Sequence, residues 1–206
     1  RHRAGGVRGI GELMTELEKM IKGAWYDTRA PELRRMSNRA KDLMRLYNSL
    51  PAENGELREE IIRLLLGKCG VNVRINQPFF VDYGCHISVG SHSLVNMNCT
   101  LLDTGNITIG HHTLIGPDVK IYTATHPIHA KERFFMDEHG DPAIRTRTAP
   151  VTIGNHVWIG GGTVILPGVT IGDGAVIGAG SVVKDSVPAG MLACGNPCTV
   201  KKELEN

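Results

Sequence analysis

An aliphatic side chain returns at every sixth position in the last third of the chain. These positions are Ile153, Ile159, Ile165, Ile171, Ile177 and Val183. Four residues after each of them stands a small or β-branched residue, namely Val157, Thr163, Val169, Ala175, Ser181 and Val187. A period of six fits neither an amphipathic helix nor a single amphipathic strand, and a short fixed repeat is typical of solenoids. The pattern predicts a parallel β-helix, an all-β solenoid whose short strands stack coil upon coil.

The same register extends towards the N-terminus with regular slips of two residues. Its members are Ile75, Val81, Ile87, Val89, Val95, Leu101, Ile107, Ile109, Ile115, Ile121 and Val151. We interpret three hexads as one triangular coil and each slip, at 87–89, 107–109 and 151–153, as an extended corner. Because one coil buries little apolar surface, neighbouring coils must stack to form a core. The solenoid is predicted to span residues 71–200.

The six-residue period is absent between residues 122 and 150. A structureless stretch of this length is uncommon in a compact domain unless it has a function. We therefore predict a functional loop that protrudes from the solenoid. Phe134, Phe135 and Met136 are consecutive apolar residues within it, which favours docking on another subunit over full exposure to solvent.

Helical patterning replaces the hexads in residues 14–70. Thr15 and Glu18 form a capping-box pair ahead of a short apolar face that Gly23 closes. A second helix is predicted to start near Pro31, a favourable first-turn residue, and a third to follow it. We expect the helices to cap the open end of the solenoid, because exposed strand edges promote association.

The termini and the composition change this picture little. Residues 1–13 lack periodicity and are interpreted as a tag-like or upstream tail, and residues 201–206 as a C-terminal tail. A formal net charge of +2 without a long basic run argues against nucleic-acid binding. Five cysteines without a signal peptide or membrane span favour free, buried thiols in a reducing cytoplasm. Cys194 and Cys198 lack the spacing and the second pair of a zinc site.

Several short motifs carry a resemblance to a known family. They are M-T-E-x-E-K-M at 14–20, W-Y-D at 25–27, V-D-Y-G at 81–84, N-M-N at 96–98, I-G-P-D-V at 115–119, H-P-I at 126–128, V-W-I-G-G-G at 157–162, I-G-A-G-S-V-V at 177–183 and G-N-P-C at 195–198. In order and spacing the chain resembles the maltose and galactoside O-acetyltransferases among the hexapeptide-repeat acyltransferases. The resemblance implies a left-handed β-helix, a homotrimer with active sites between subunits, and acetyl transfer from acetyl-CoA to a sugar hydroxyl.

Two residues are candidates for the chemistry that the resemblance implies. His126 corresponds to the family's catalytic histidine through the His-Pro-Ile match, and a neutral imidazole suits a general base that deprotonates an alcohol. Asn96 matches the family asparagine that stabilises the tetrahedral oxyanion. The alternative interpretations are a surface loop histidine and an asparagine stacked in a turn.

The resemblance also implies residues that bind the acceptor. Asp27, Asp82 and Asp103 match acceptor positions, and carboxylates accept hydrogen bonds from sugar hydroxyls. Asp82 replaces a serine of some members, and Thr104 stands where an aspartate can occur. Maltose, glucose, galactosides and Nod-factor-like oligosaccharides therefore all stay open as acceptors. Each aspartate could equally be a solvated turn residue.

For acetyl-CoA the resemblance implies a groove between two solenoids. The matching positions are Trp158, Gly161, Ala179, Lys184, Asp185, Thr199 and Lys202. Small residues admit close backbone approach, and lysines meet phosphates as point charges. An arginine is usual in the family where Thr199 stands, and a Thr-Lys pair where Lys184 and Asp185 stand. We expect weaker coenzyme A binding from these departures.

Two other functions compete with acetyl transfer. One is a metal-dependent β-helix enzyme of the γ-carbonic anhydrase type, which needs three imidazoles converging on zinc. The chain offers His86, His92, His111, His112, His126 and His156, but their spacing does not match that family. The other is a non-catalytic scaffold, against which the pair of His126 and Asn96 argues. We expect no metal ligands and no metal requirement.

Overall fold

The computed structural model describes residues 14–205. The helices are α1 Glu16–Ile21, α2 Pro31–Ser49 and α3 Gly55–Leu65. In chain order the strands are β1 Tyr26–Asp27, β2 Lys68–Cys69, β3 Arg74–Ile75, β4 Phe79–Val81, β5 Ile87–Val89, β6 Leu94–Val95, β7 Cys99–Leu102, β8 Ile107–Ile109, β9 Leu114–Ile115, β10 Lys120–Tyr122, β11 Ala124–Thr125, β12 Phe134–Met136, β13 Pro142–Thr148, β14 Val151–Ile153, β15 Trp158–Ile159, β16 Val164–Ile165, β17 Thr170–Ile171, β18 Val176–Ile177, β19 Val182–Val183, β20 Met191–Gly195 and β21 Cys198–Glu203.

The hexads form three parallel sheets, one for each face of a triangular solenoid. The first face contains β2, β5, β8, β14 and β17, and the third contains β4, β7, β10, β16 and β19. The second face contains β3, β6, β9, β15 and β18 and ends with β20 and β21. Hexad residues stack in register, so that Ile109 pairs with Val89 below and Ile153 above. Every hexad aliphatic from Ile75 to Val183 is buried, which confirms the predicted core.

The two-residue slips are strands of the first face rather than corners. In β5, β8 and β14 the first and third residues are both buried, while the middle residue faces outwards. Successive side chains of a strand alternate between its two faces, so a three-residue strand places two aliphatics inside. The corner interpretation was therefore wrong, and the slips mark the longest strands of that face.

The helices cap the N-terminal end of the solenoid. Thr15 Oγ1 accepts from the Glu18 N–H at 3.1 Å, and Glu18 accepts from the Thr15 N–H at 2.8 Å, as the capping box predicted. The Asn48 amide of α2 bonds both the N–H and the carbonyl of Phe79 at 2.9 Å. Tyr47 is buried against the first coil. These contacts attach the cap to the solenoid.

Residues 124–148 form an antiparallel arm where a loop was predicted. Strand β13 pairs with β11, β12 and β1, so Tyr26 and Asp27 lie in a strand. The Thr148 hydroxyl donates to the Met20 carbonyl at 2.6 Å and joins the arm to α1. Phe134 and Met136 stay 60% and 64% exposed. Their docking on another subunit remains a prediction.

The ends of the solenoid differ from the predicted bounds. Strand β2 begins at Lys68 and already pairs with β5, so the first coil starts before residue 71. At the other end β20 and β21 form an antiparallel hairpin that extends to Glu203. Part of the predicted C-terminal tail is therefore a strand. The predicted tail at residues 1–13 lies outside the described residues.

All five cysteines are free thiols. Cys99 and Cys198 are buried, whereas Cys85 is exposed, so the expectation of buried thiols fails at Cys85. Within residues 14–205, no helix has both the length and the apolar character that crossing a bilayer requires.

Candidate active site

His126 stands directly after β11, where the chain leaves the solenoid for the arm. Its ring is exposed, and its Nδ1 lies 2.9 Å from the Arg145 carbonyl oxygen. A carbonyl oxygen only accepts hydrogen bonds, so in the neutral ring Nδ1 carries the proton and Nε2 keeps its lone pair. The ring borders a pocket of about 440 Å³ with Leu102, Tyr122 and Pro167 in its walls. This is the tautomer that a general base at Nε2 requires.

The arm fixes the position of His126 relative to the N-terminal segment. Strand β13 lies between β1 and β11 and pairs Arg145 with Asp27 on one side and Arg147 with Thr125 on the other. Asp27 and His126 are thus separated by about two inter-strand spacings, or roughly 10 Å. The Arg145 guanidinium lies 5.6 Å from the centre of the Phe135 ring. Both side chains line a second pocket, of about 430 Å³, together with Asp27.

Asp27 is held by an arginine that the sequence analysis did not single out. Arg29 donates through Nε and Nη2 to the two carboxylate oxygens at 3.0 and 2.9 Å. The hydrogen bond from Arg29 lowers the pKa of Asp27, so the group is a carboxylate at neutral pH. Arg29 also reaches Asp137 of the arm at 2.7 Å. Asp27 therefore joins the N-terminal segment to the arm as well as facing the pocket.

Asp82 and Asp103 occupy different environments. Asp82 is half-buried and accepts from the Thr104 hydroxyl at 2.9 Å, and burial raises its pKa, with neighbouring Asp103 adding to the effect. Asp103 is fully buried and accepts from the N–H groups of residues 82, 83 and 86 at 3.1, 2.8 and 3.2 Å. Its carboxylate is occupied by backbone donors. The prediction that Asp103 binds the acceptor was therefore wrong, and the residue closes the 82–86 turn.

Asp82 belongs to the same end of the molecule as Asp27. The Asp82 carboxylate lies close enough to Tyr26 and Tyr83 to raise the pKa of both phenols, after the larger effect of burial. The pKa of Tyr83 reaches about 12. Tyr83 also packs against the small core that contains Tyr26. Asp27, Asp82 and His126 therefore surround one end of the third face.

Asn96 lies in the corner between β6 and β7. Its Oδ1 accepts from the Met97 N–H at 2.8 Å and from Asn76 Nδ2 at 3.2 Å. Both partners occupy the oxygen, so the Nδ2 donors carry no bond to any described residue and face the adjoining groove. An amide donor fixed in this way can stabilise a developing oxyanion.

The groove beside Asn96 brings together three of the predicted cofactor residues. It has a volume of about 560 Å³, and Trp158, Gly161 and Ala179 line it. A Cβ on Gly161 would lie 3.1 Å from the Pro117 carbonyl oxygen, so a larger residue would crowd the groove floor. Trp158 is 55% exposed and Leu114 beside it 49%. The groove is an apolar channel that is open along the second face.

The remaining cofactor candidates are divided between two faces. Thr199 and Lys202 lie on β21, at the C-terminal end of the second face that forms the groove. Thr199 Oγ1 accepts from Lys201 Nζ at 2.7 Å. Lys184 follows β19 on the third face, pairs with Asp185 at 2.5 Å and lines a pocket with Arg147. Strands β19 and β21 are in contact, so the two pairs of residues stand on adjoining faces near the C-terminal end of the solenoid.

His126 and Asn96 are also separated within one chain. Asn96 precedes β7 and His126 follows β10, which stacks on β7 with Lys120 opposite Thr100. The two residues flank opposite ends of the third face, and strand β7 between them is four residues long, so they are more than roughly 13 Å apart at 3.3 Å per residue. Hydrogen-bonding distance is about 3 Å. Within one chain His126 and Asn96 therefore lie in two separate regions, the His126 half-site and the Asn96 half-site, and cannot contact the same bound atom.

The other histidines are distributed away from His126. His86 Nδ1 lies 2.7 Å from the Asp103 carbonyl oxygen. His111, His112 and His156 lie together at the corner that precedes β9 and β15, where His112 and His156 stand two residues before Leu114 and Trp158 of the groove wall. His126 is not part of that group. The three clustered imidazoles do not complete either half-site.

Sequence reasoning missed two groups that position the site. The Arg145 carbonyl that orients His126 belongs to the backbone, and no residue pattern indicates it. Arg29 stands two residues after Asp27, a spacing at which a side chain can reach back, and this signal was available. Nothing in the sequence indicates that Arg29 also contacts Asp137, which lies 108 residues later in the chain.

Comparison with known proteins agrees with this architecture. The maltose acetyltransferase hexapeptide capping motif matches residues 19–70, and the bacterial transferase hexapeptide model, with six repeats, matches residues 150–185. Nodulation protein L of Rhizobium meliloti (strain 1021) is 44% identical over 187 residues, which cover 91% of this chain and 98% of that protein.

Solved structures show the same similarity. A maltose O-acetyltransferase from Clostridium difficile 630 has a TM-score of 0.87 and 42% identity, covering 94% of this chain and 99% of its own. A galactoside acetyltransferase in complex with coenzyme A has a TM-score of 0.86 and 35% identity, covering 94% of this chain and 92% of its own. The predicted fold class, a left-handed parallel β-helix with an N-terminal helical cap, is confirmed. The chain belongs to the maltose and galactoside O-acetyltransferase family of hexapeptide-repeat acyltransferases and is an acetyl-CoA-dependent acyltransferase.

Proposed function

We propose that the protein transfers an acetyl group from acetyl-CoA to a hydroxyl of a small sugar, with His126 as the general base. The observation that carries the proposal is the 2.9 Å contact between His126 Nδ1 and the Arg145 carbonyl oxygen. It leaves Nε2 unprotonated beside an open pocket, where an alcohol can present its proton. General-base catalysis of this kind contributes about 10²–10⁴-fold to the rate.

The proposed reaction is direct transfer in a ternary complex. His126 Nε2 removes the acceptor's hydroxyl proton as the oxygen attacks the thioester carbonyl. The Asn96 amide and a backbone N–H near Gly161 donate to the oxyanion. Collapse expels the coenzyme A thiolate, which takes the proton back from the imidazolium. Atoms and charge balance, since the products are the acetyl ester and the free thiol.

We propose that the site forms between two protomers of a homotrimer. Within a chain the separation of more than roughly 13 Å puts His126 and Asn96 out of reach of one reacting carbonyl. The rims of both half-sites are apolar and open: Trp158 and Met97 are 55% and 51% exposed beside the groove, and Ile128 is 89% exposed beside His126. Burying such surface is favourable by about 25 cal/mol per Å². A neighbour's groove facing His126 would cover both rims.

The acceptor is proposed to bind between His126 and the two open carboxylates. Asp27 and Asp82 lie at the His126 end of the third face, and sugar hydroxyls donate readily to carboxylates. The gap of roughly 10 Å between Asp27 and His126, two strand spacings, leaves room for one hexose ring.

The free thiols support our proposal of a reducing, cytoplasmic location.

A panel of acceptors tests this proposal. Maltose, glucose, a galactoside, glycerol and a primary amine are each supplied with acetyl-CoA, and release of the coenzyme A thiol is followed. We expect turnover above background with at least one sugar. Faster transfer to the amine than to every sugar, or thiol release that no hydroxyl compound accelerates, would contradict O-acetylation.

Restoring the family's arginine at position 199 is expected to tighten coenzyme A binding. Thr199 is exposed on β21 and holds only the Lys201 ammonium. An arginine would add a bidentate donor for phosphate, and at an exposed site this gain is worth about two- to fivefold in affinity. Calorimetric titration of Thr199→Arg with coenzyme A measures the effect, and Thr199→Gln is the uncharged control. Equal dissociation constants for the two variants would mean that residue 199 does not meet the phosphates.

A further inference from the structure

Three imidazoles converge at the solenoid corner that precedes β9 and β15. His111, His112 and His156 are exposed, and one ring nitrogen from each lies within 4.8 Å of the others. His111 Nδ1 is 3.0 Å from His112 Nδ1. Within residues 14–205 these residues make the one group of three or more potential metal ligands. From the sequence we expected no metal ligands here.

The backbone of two adjacent coils fixes two of these rings. His112 and His156 both have a left-handed conformation, with φ of 53° and 55°. The His112 N–H donates to the Ser91 carbonyl at 2.9 Å, and the His156 N–H donates to the His111 carbonyl at 3.0 Å. The two rings stack at 5.1 Å with an interplanar angle of 18°. Non-glycine residues adopt this conformation infrequently, so its recurrence at one corner keeps the rings side by side.

A hydrogen-bond chain fixes the third ring. Asn155 Oδ1 accepts from the His111 N–H at 3.0 Å, and the Asn155 N–H donates to Asp173 at 2.7 Å. The His111 ring meets both of the stacked rings edge-on, with centroid distances of 5.1 and 5.0 Å. It therefore closes a triangle of nitrogen donors over the pair.

The geometry is close to that of a tetrahedral metal site. Zinc binds imidazole nitrogen at about 2.0–2.1 Å, which places the ligand nitrogens roughly 3.3 Å apart. The observed spacing runs from 3.0 Å to no more than 4.8 Å, and small side-chain rotations of exposed rings close the difference. Gly174 occupies the next left-handed position above His156, and a Cβ there would meet no atom within 4 Å. The corner is open to solvent on that side.

We propose that His111, His112 and His156 form a binding site for a divalent transition metal such as Zn²⁺, with a solvent molecule as fourth ligand. Imidazole is the ligand that Zn²⁺, Cu²⁺ and Ni²⁺ share. None of the three histidines lines the groove, although Leu114 and Trp158 of its wall follow His112 and His156 by two residues. The metal cross-links two coils and stabilises the folded chain by binding it preferentially.

Titration of the full chain after chelator treatment tests the site. We expect one Zn²⁺ per chain by calorimetry, a tetrahedral absorption spectrum with Co²⁺, and a rise in Tm with Zn²⁺. His112→Asn and His156→Gly should each weaken Zn²⁺ binding by more than about 100-fold. Losing a residue that only supports a ligand weakens metal binding by about 10–100-fold, and losing a ligand itself should cost more. Both replacements suit the corner, since Asn72 and Gly174 adopt the same conformation with φ of 54° and 67°.

His92→Asn is the matched control. His92 has a φ of 61° and its ring lies 4.8 Å from that of His112, but it is outside the triangle of donors. We expect the affinity of the His92→Asn variant for Zn²⁺ to change less than about threefold, because no coordinating atom is lost. Retained acetyl transfer in every variant verifies the fold. Failure of the unsubstituted chain to bind Zn²⁺, or binding that survives replacement of all three histidines, would overturn the proposal. The three histidines would then be stacked surface rings without a metal-binding role.

Discussion

His126→Ala is expected to lower kcat by about 10²–10⁴-fold, the usual contribution of a general base, while coenzyme A still binds. The imidazole is the titratable group whose free nitrogen faces the open pocket, and its orientation comes from the Arg145 carbonyl. Removing it deletes the base without touching the groove that contains Trp158 and Gly161. Steady-state kinetics with saturating acetyl-CoA measure the first effect, and calorimetry with coenzyme A measures the second.

His129→Ala is the matched control for this substitution. His129 is also an exposed histidine at the start of the arm, three residues further on, and it is not among the residues that line the His126 pocket. We expect turnover within about twofold of the unsubstituted enzyme, as for most surface changes. A His126→Ala enzyme that retains more than a tenth of the original kcat would assign the base to another group.

The core of the fold could be predicted from the sequence because its periodicity is local. Each hexad places one aliphatic inside, and stacking identical coils leaves no other arrangement that buries all of them. The structure of the two-residue slips was harder to predict from the sequence. A strand with alternating side chains and a bend at a corner both place aliphatic residues two positions apart. Only the burial of both Ile107 and Ile109 in β8 distinguishes the two.

The arm could not be predicted because its partners are remote in sequence. Strand β13 pairs Arg145 with Asp27, 118 positions apart, and no turn signal connects them. Antiparallel pairing of this kind depends on tertiary context more than on intrinsic propensity. The sequence of β13 therefore does not indicate which strands it pairs with.

The site was predicted unevenly for a similar reason. His126 lines one pocket, and Trp158 and Ala179 line the groove, while their roles stay predictions. The prediction for Asp103 was wrong, because a buried carboxylate that satisfies backbone N–H groups has the same sequence appearance as one that binds a sugar. The distinction rests on three hydrogen bonds to residues 82–86, which only the folded chain creates.

Mixing two inactive variants is expected to restore activity if the two half-sites belong to different protomers. His126→Ala lacks the base, and Asn96→Ala lacks an oxyanion donor worth about 10²–10³ in kcat. In randomly assembled trimers a site is intact when the His126 side comes from one variant and the groove from the other. About one quarter of the sites meet this condition in a cyclic assembly with heterologous contacts. Co-expression at equal levels, with thiol release as the readout, measures the recovery.

The double variant mixed with the unsubstituted chain provides the second half of this experiment. If sites are shared between protomers, both partners must be unsubstituted, so about one quarter of the sites stay active in the cyclic assembly. If each chain contains a whole site, this mixture keeps about one half, and the mixture of single variants stays inactive. The two mixtures thus have equal activity if sites are shared between protomers. If each chain contains a whole site, one mixture has about half of its sites active and the other has none. The separation of more than roughly 13 Å between His126 and Asn96, at opposite ends of the third face, predicts the equal result.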